Sequence, residues 1–263
     1  MQSKADTHIH TTYSDGAVAP ETLVDYVVEQ TDLQVIAVTD HDTAEGGLAA
    51  QAYARQRRLP LDVIVGQEVT TDEGDIVALF VHKSLPAFHS ARAAVQAIHA
   101  QGGLAIAVHP FSAWASLGKM AGVGRLLAHL PLDGVEIRNG FPTNTLSNRL
   151  TQWINRRGPR LSELGGSDSH VPHTVGQAFT WFPGRSAADL RRALLARRTR
   201  AGGPLWTPAS LCAALPLLRG AGLPAYEHTH VYGDEPAAPG DPHIAQPGAT
   251  RPRPSWAEFS QKP

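Results

Sequence analysis

Histidines 8 and 10 stand two apart in the run Asp6-Thr7-His8-Ile9-His10. In an extended chain side chains alternate between faces, so both imidazoles point the same way and one ion can take both. Asp168 and His170 repeat the spacing late in the chain. Imidazole and carboxylate together are ligands for zinc, manganese or iron. Taken singly, such a pair has a plainer reading as a surface or hydrogen-bonded pair. It gains weight only if other ligand types converge on it.

They do converge, at the ends of apolar runs. Asp15 follows the first run, and Thr39-Asp40-His41-Asp42 ends the second. Glu68 ends the third, His82 the fourth, His109 the fifth, and Glu136-Ile137-Arg138-Asn139 the sixth. Gly166-Ser167-Asp168-Ser169-His170 ends the last. If those runs are parallel strands of a barrel, their C-terminal ends share one face, where active sites are built. Asp6, Asp40 and Asp42 flank ligand positions and suit either orientation of the histidines or plain strand-end solvation. His89, His99 and His129 fall at or inside helices and read as surface groups. His228 and His230 form a second pair in the C-terminal region, outside the strand pattern, and read as solvated.

The elements that would position these residues are legible as alternation. Val- and Ile-rich runs at 34–39, 62–66, 76–81, 104–108 and 134–138 read as buried strands. Helical spacing occupies 20–30, 44–58, 90–101, 121–130, 144–157 and 186–198. Ser186 and Asp189 have the spacing of a capping box. Strands alternating with helices predict α/β class with parallel strands. The turn residues 70–75 predict a hairpin between Glu68 and His82. Eleven of the twenty prolines fall in 204–263. We therefore expect a catalytic barrel over 1–203, a small appendage over 204–232 and a Pro-rich disordered tail over 233–263.

Bulk properties exclude several classes. The chain has 263 residues, is 42% hydrophobic and carries a formal charge of −1. That balance offers no footprint for duplex nucleic acid, though a small phosphorylated substrate remains compatible. One cysteine, Cys212, rules out a disulfide framework and a thiolate zinc site. Without an apolar leader or a run of membrane-spanning length, a cytoplasmic location away from membranes is expected. Oligomeric state is left open.

The runs at 8–16, 39–43 and 66–70, His109-Pro110 and 166–170 together resemble the PHP family, the polymerase and histidinol phosphatase domain. The resemblance covers about 4–203. It implies a distorted seven-stranded, TIM-like β/α barrel and a phosphoesterase with two or three divalent ions (Zn, Mn or Fe). Carried over by position, a first ion would take His8, His10, Glu68 and Asp168. A second would take Asp15, His41 and His170. A third would take His82 and His109, with Glu68 bridging to the first. Some relatives acting on nucleotides or RNA ends carry a large helical insertion before the His-Pro motif. Here the 26 residues between His82 and His109 leave room for one helix.

The expected chemistry is in-line attack on phosphorus by a hydroxide bridging two ions. Arg138 is a candidate for neutralising the developing charge, or else a barrel salt-bridge partner. Asn139 is a second substrate-binding candidate, and His173 a candidate proton donor to the leaving group. Trp114 and Lys119 could form part of a substrate wall, or simply pack and be solvated. An amidohydrolase-like enzyme cleaving carbamates or carboxyl esters would also open on a His-x-His strand, but would want a bridging lysine. Lys83 is the one lysine near such a strand end. A metal-stabilised regulatory module without catalysis is the third reading.

Overall fold

The computed structural model describes residues 1–112, 122–204 and 230–233. Trp114, Lys119, His228 and most of the C-terminal appendage and tail lie outside the described residues.

Among the described residues a single sheet forms the core, with nine strands in the order β7-β6-β5-β4-β3-β2-β1-β8-β9. They are β1 (Gln2–Ile9), β2 (Val35–Val38), β3 (Asp62–Val69), β4 (Ile76–Leu79), β5 (Leu104–Ala107), β6 (Gly134–Asn139), β7 (Ser162–Gly166), β8 (Phe179–Pro183) and β9 (Arg200–Gly202). The helices are α1 (Pro20–Gln30), α2 (Glu45–Gln56), α3 (Ala91–Ala100), α4 (Thr145–Arg157) and α5 (Ala187–Leu195). The α/β class holds. The expected seven-stranded count does not, because β8 adds antiparallel to the outer edge of β1 and β9 antiparallel to β8.

β1, β2 and β3 run parallel, and so do β5, β6 and β7. Between them β4 is reversed, antiparallel to both neighbours, as the hairpin predicted. The sheet nearly closes at one end. There Asp168 N–H donates to His8 O and His10 N–H to Ser169 O, each at 2.9 Å.

Inside the sheet, Ala5, Ala37, Ile64, Val77, Leu79, Ile106, Leu164 and Phe182 form one apolar cluster. Leu190 and Leu194 of α5 join it. Ser186 caps α5 in a true capping box with Asp189. Ala187 N–H meets Asp62 at the start of β3, and Arg191 reaches Gly102 O just before β5. Thus α5 closes the N-terminal end of the barrel, and the C-terminal strand ends stay open for a site. The predicted helix over 121–130 is instead a 3-10 turn at Gly124–Ala128, where Gly124 sits at φ 52, outside the α region.

Candidate metal centre

The open end gathers eight of the nine expected ligands into three overlapping groups. They are His10, Asp15, His41 and His170; His8, His10 and Asp168; and His8, Glu68 and His109. Within each group the ligand atoms lie within 4.8 Å of one another.

Glu68 is the hub. Its Oε1 lies 3.1 Å from His109 Nε2. Its Oε2 lies 3.1 Å from His8 Nε2, 3.3 Å from His10 Nε2 and 3.6 Å from His41 Nδ1. Asp168 Oδ1 stands 3.6 Å from His8 Nε2 and 3.4 Å from His10 Nε2. Asp15 Oδ2 lies 3.1 Å from His170 Nε2 and 3.7 Å from His41 Nε2. Two atoms each about 2.1 Å from one ion sit about 3.0–3.4 Å apart at right or tetrahedral angles. Most of these separations match that spacing.

The donor set fits divalent ions on a second count. Among the described residues, both ring nitrogens of His10 are buried with no hydrogen-bond partner, as is His109 Nδ1. Buried polar atoms left so are rare and call for an explanation such as an ion. Electrostatics agree. Burial opposes charge on His10, but Asp168, Glu68 and Asp15 outweigh it and push its pKa up to about 10. His8 and His109 shift upward for the same reason. Burial likewise opposes ionisation of Glu68, Asp168 and Asp15, yet the surrounding imidazoles hold all three well below the usual carboxylate range. Such a cluster pairs ionised carboxylates with exchangeable protons on the imidazoles, and bound cations would take the place of those protons.

The backbone is shaped around the cluster. His109 and Asp168 adopt φ of 31 and 56, a left-handed region costly for residues with side chains. Gly166 is needed because a Cβ there would meet Glu136 Oε1 and His8 Cβ, each at 2.5 Å. Two of the flanking aspartates, Asp6 and Asp40, anchor loops rather than histidine rings. Asp6 accepts from the amides of Ser167 and Gly176, and burial raises its pKa to about 6 against those bonds. Asp40 accepts from Thr11 N–H, Thr11 Oγ1 and Ser14 Oγ, ordering the turn that delivers Asp15.

Four expectations need correction. His82 is exposed and outside every group. The hairpin explains why: β4 runs backwards, so its end points away from the site. Val81 N–H pairs with Val65 O, three residues below Glu68 and about 10 Å along the strand. Arg138 does not reach the cluster. It donates to Gly203 O at 3.0 Å and lines a cavity of about 270 Å³ with Asn148, Arg149 and Gln177. His173 is exposed on the 3-10 turn Pro172–Thr174 and joins none of the cluster's ion pairs. Asn139 is in the site but holds protein groups. It donates to Glu136 Oε2 and Asp168 Oδ2, and accepts from Phe141 N–H and Asn144 Nδ2.

Two residues were passed over. Glu136 Oε1 lies 3.3 Å from His8 Nδ1, and its Oε2 accepts from His109 N–H, so it braces two ligands. Glu136 stands at the end of a strand like the ligands, and its inward phase is the signal the sequence offers for it. His230, read as solvated, instead places Nδ1 2.7 Å from Asp42 Oδ2. No local signal in the sequence marks that contact.

Comparison with known proteins follows the same lines. The PHP domain profile matches residues 6–111, and the PHP-associated profile matches 152–199. An uncharacterised protein of Methanocaldococcus jannaschii is 32% identical over 158 residues, 56% of this chain and 88% of that protein. The 5'-3' exoribonuclease Rnm of Salmonella typhimurium is 44% identical over 66 residues, 25% of this chain but 22% of the exoribonuclease. Among solved structures, a two-domain protein from Bacteroides vulgatus, described as containing a predicted PHP-like metal-dependent phosphoesterase, superposes with a TM-score of 0.63. It is 23% identical, over 77% of this chain and 65% of that one. An amidohydrolase from Chromobacterium violaceum, solved with bound sulfate and no metal, superposes at 0.52. It is 19% identical, over 78% of this chain and 99% of that one. At these identities the two structures speak for the fold alone.

Proposed function

The chain belongs to the PHP domain family, and on that premise we propose that it hydrolyses a small phosphate ester at a centre of two or three divalent ions, Zn, Mn or Fe. The observation that carries this reading is the division of Glu68. One carboxylate oxygen faces His109 and the other faces His8 and His10, the stance of a carboxylate shared between two ions.

Bound ions would neutralise phosphoryl charge and lower the pKa of a water to roughly 7. The chain's own residues do the rest. His8, His10, Glu68, Asp168 and His109 lie buried and keep bulk water from the floor of the site. Asp15, His41 and His170 form its open side, their side chains 16–20% exposed, and a substrate phosphate approaches there. Glu136 and Asn139 hold the floor ligands in orientation. Since Arg138 faces Gly203, charge neutralisation would fall to the ions these groups hold.

Cleavage of carbamates or carboxyl esters fits less well. The bridging place belongs to Glu68, while Lys83 is exposed beside His82. No helix among the described residues is long and apolar enough to cross a membrane. The likeness to the exoribonucleases spans 22% of their length, so short RNA enters as one arm of a test, not as the substrate.

The test uses purified full chain reloaded with Mn, Zn or Fe. It is assayed on phosphomonoesters, cyclic phosphates, short oligonucleotides and an aryl carboxylate ester. Chelator-sensitive phosphate-ester cleavage is expected. Turnover of the carboxylate ester alone, or no turnover at full metal content, overturns the proposal. The second outcome leaves a non-catalytic, metal-stabilised module.

A further inference from the structure

Residues 230–233 lie beyond both family matches, yet they are docked on the barrel at Ala87 and at Asp42, the residue that follows His41. Ala87 N–H donates to Val231 O, and Gly233 N–H donates to Ala87 O, each at 3.0 Å. The segment thereby pairs in parallel with residues 87–88, which pair in turn with Thr71. Tyr232 stacks on His89 at 4.2 Å and donates its hydroxyl to Asp72. These contacts deliver His230 to Asp42, where the two side chains are 10% and 17% exposed.

Asp42 is well placed to transmit that contact. It sits at φ 52, directly after His41. Its Oδ1 accepts from Thr70 N–H at 2.8 Å, and its own N–H donates to Glu68 O at 2.9 Å. It therefore ties the His41 loop to the end of the strand that carries Glu68. One carboxylate oxygen makes that tie and the other holds His230. His41 belongs to the open side of the centre, its side chain 16% exposed.

We propose that residues 230–233 form an integral wall of the metal centre, in which His230, acting through Asp42, is a positioning residue for His41. The inference rests on the metal-centre reading above. Under it, the ion held by Asp15, His41 and His170 depends on the docked segment, whereas the buried ligands on Glu68 do not.

Three variants of the full chain test this. His230→Ala removes the contact. His230→Gln keeps an N–H donor for Asp42. Gly233→Pro removes the amide that bonds Ala87 and adds a Cβ where 2.5 Å separates it from Pro86 Cγ, so the segment lifts without a change in the barrel. Metal bound per chain is measured by elemental analysis across a chelator series, alongside melting of each metal-free form. His230→Ala and Gly233→Pro should release one ion at roughly tenfold lower chelator concentration, the scale expected when a partner of a ligand is lost. His230→Gln should stay within about twofold of the parent, and the metal-free melting temperatures should agree. Unchanged chelator resistance in His230→Ala overturns the proposal. So does an equal loss in His230→Ala and His230→Gln accompanied by a lowered metal-free melting temperature, which marks a merely structural contact. If the parent itself binds no ion, the phosphoesterase reading falls, a failure distinguishable because it precedes any variant.

Discussion

Asn139 donates from Nδ2 to Asp168 Oδ2 at 3.1 Å, while the other oxygen of Asp168 faces His8 and His10. The carboxylate is thus divided between an amide that holds it and the groups it serves. All of the Asn139 amide is committed to protein partners, which is why it orients a ligand rather than substrate.

Replacing Asn139 with Ala should therefore weaken metal binding by about 10–100-fold. It also strands Asn144 Nδ2 and Asp168 Oδ2, at a cost of roughly 1–3 kcal/mol for each group left unsatisfied. Chelator competition and thermal melting read the two effects separately. Unaltered metal affinity would return Asn139 to the substrate-binding role expected of it from sequence.

Glu68→Gln keeps the side chain's shape and removes its charge. If Glu68 is shared, the variant loses affinity in two ion sites at once. Elemental analysis should find at least one ion fewer per chain, and any phosphoesterase activity should fall by at least 100-fold, the upper end for losing even an indirect partner of a metal. Full metal content with full activity would show that Glu68 does not bridge.

Period and position made most of the site readable. His8 and His10 share a face because strands repeat every two residues, and His41, Glu68 and His109 end strands that run the same way. The rule failed at His82 because it assumed parallel strands, although the turn at 70–75 had already reversed β4. Residue Asp75, buried at the start of β4, occupies the end that His82 was assigned to. The register shift between Glu136 and Arg138 alters which side chains face inward, so Arg138 and Asn139 could not be sorted by alternation alone. β9 escaped because three residues give too little pattern, and β8 because Phe179–Pro183 buries only alternate residues and lacks the Val/Ile run that marks the other strands. The His230 contact joins residues 188 apart, beyond any local signal.

His82→Ala follows from that failure. Exposed, and held only through its backbone amide to Gln101 Oε1, the residue should be replaceable with no more than about a twofold change in metal content or rate and within about 0.5 kcal/mol in stability. Loss of an ion in this variant would restore the set of ligands implied by family resemblance.

Acidity should act oppositely on the metal-free and metal-loaded forms. In the metal-free protein the pKa of His10 is pushed up to about 10, so its charged form stabilises the fold fully below the ordinary 6.5 and ceases to as the pH climbs toward 10. His8 and His109, also raised, act in the same direction. Asp6, lifted by burial to about 6, already costs stability as it ionises between about pH 4 and 6. Asp15 and Asp168 are lowered, so their contribution is present above about pH 4 and is lost only in stronger acid. The metal-free protein should thus be most stable on the acid side of neutrality and soften above pH 6.5. Ions, by contrast, need neutral imidazoles and bind more tightly as protons leave. The gain in melting temperature on adding Mn or Zn should therefore widen steadily from pH 6 to pH 9. Calorimetry of chelator-treated and reloaded protein across that range checks it, and a gain that narrows with rising pH would mean the raised histidines are not the ligands.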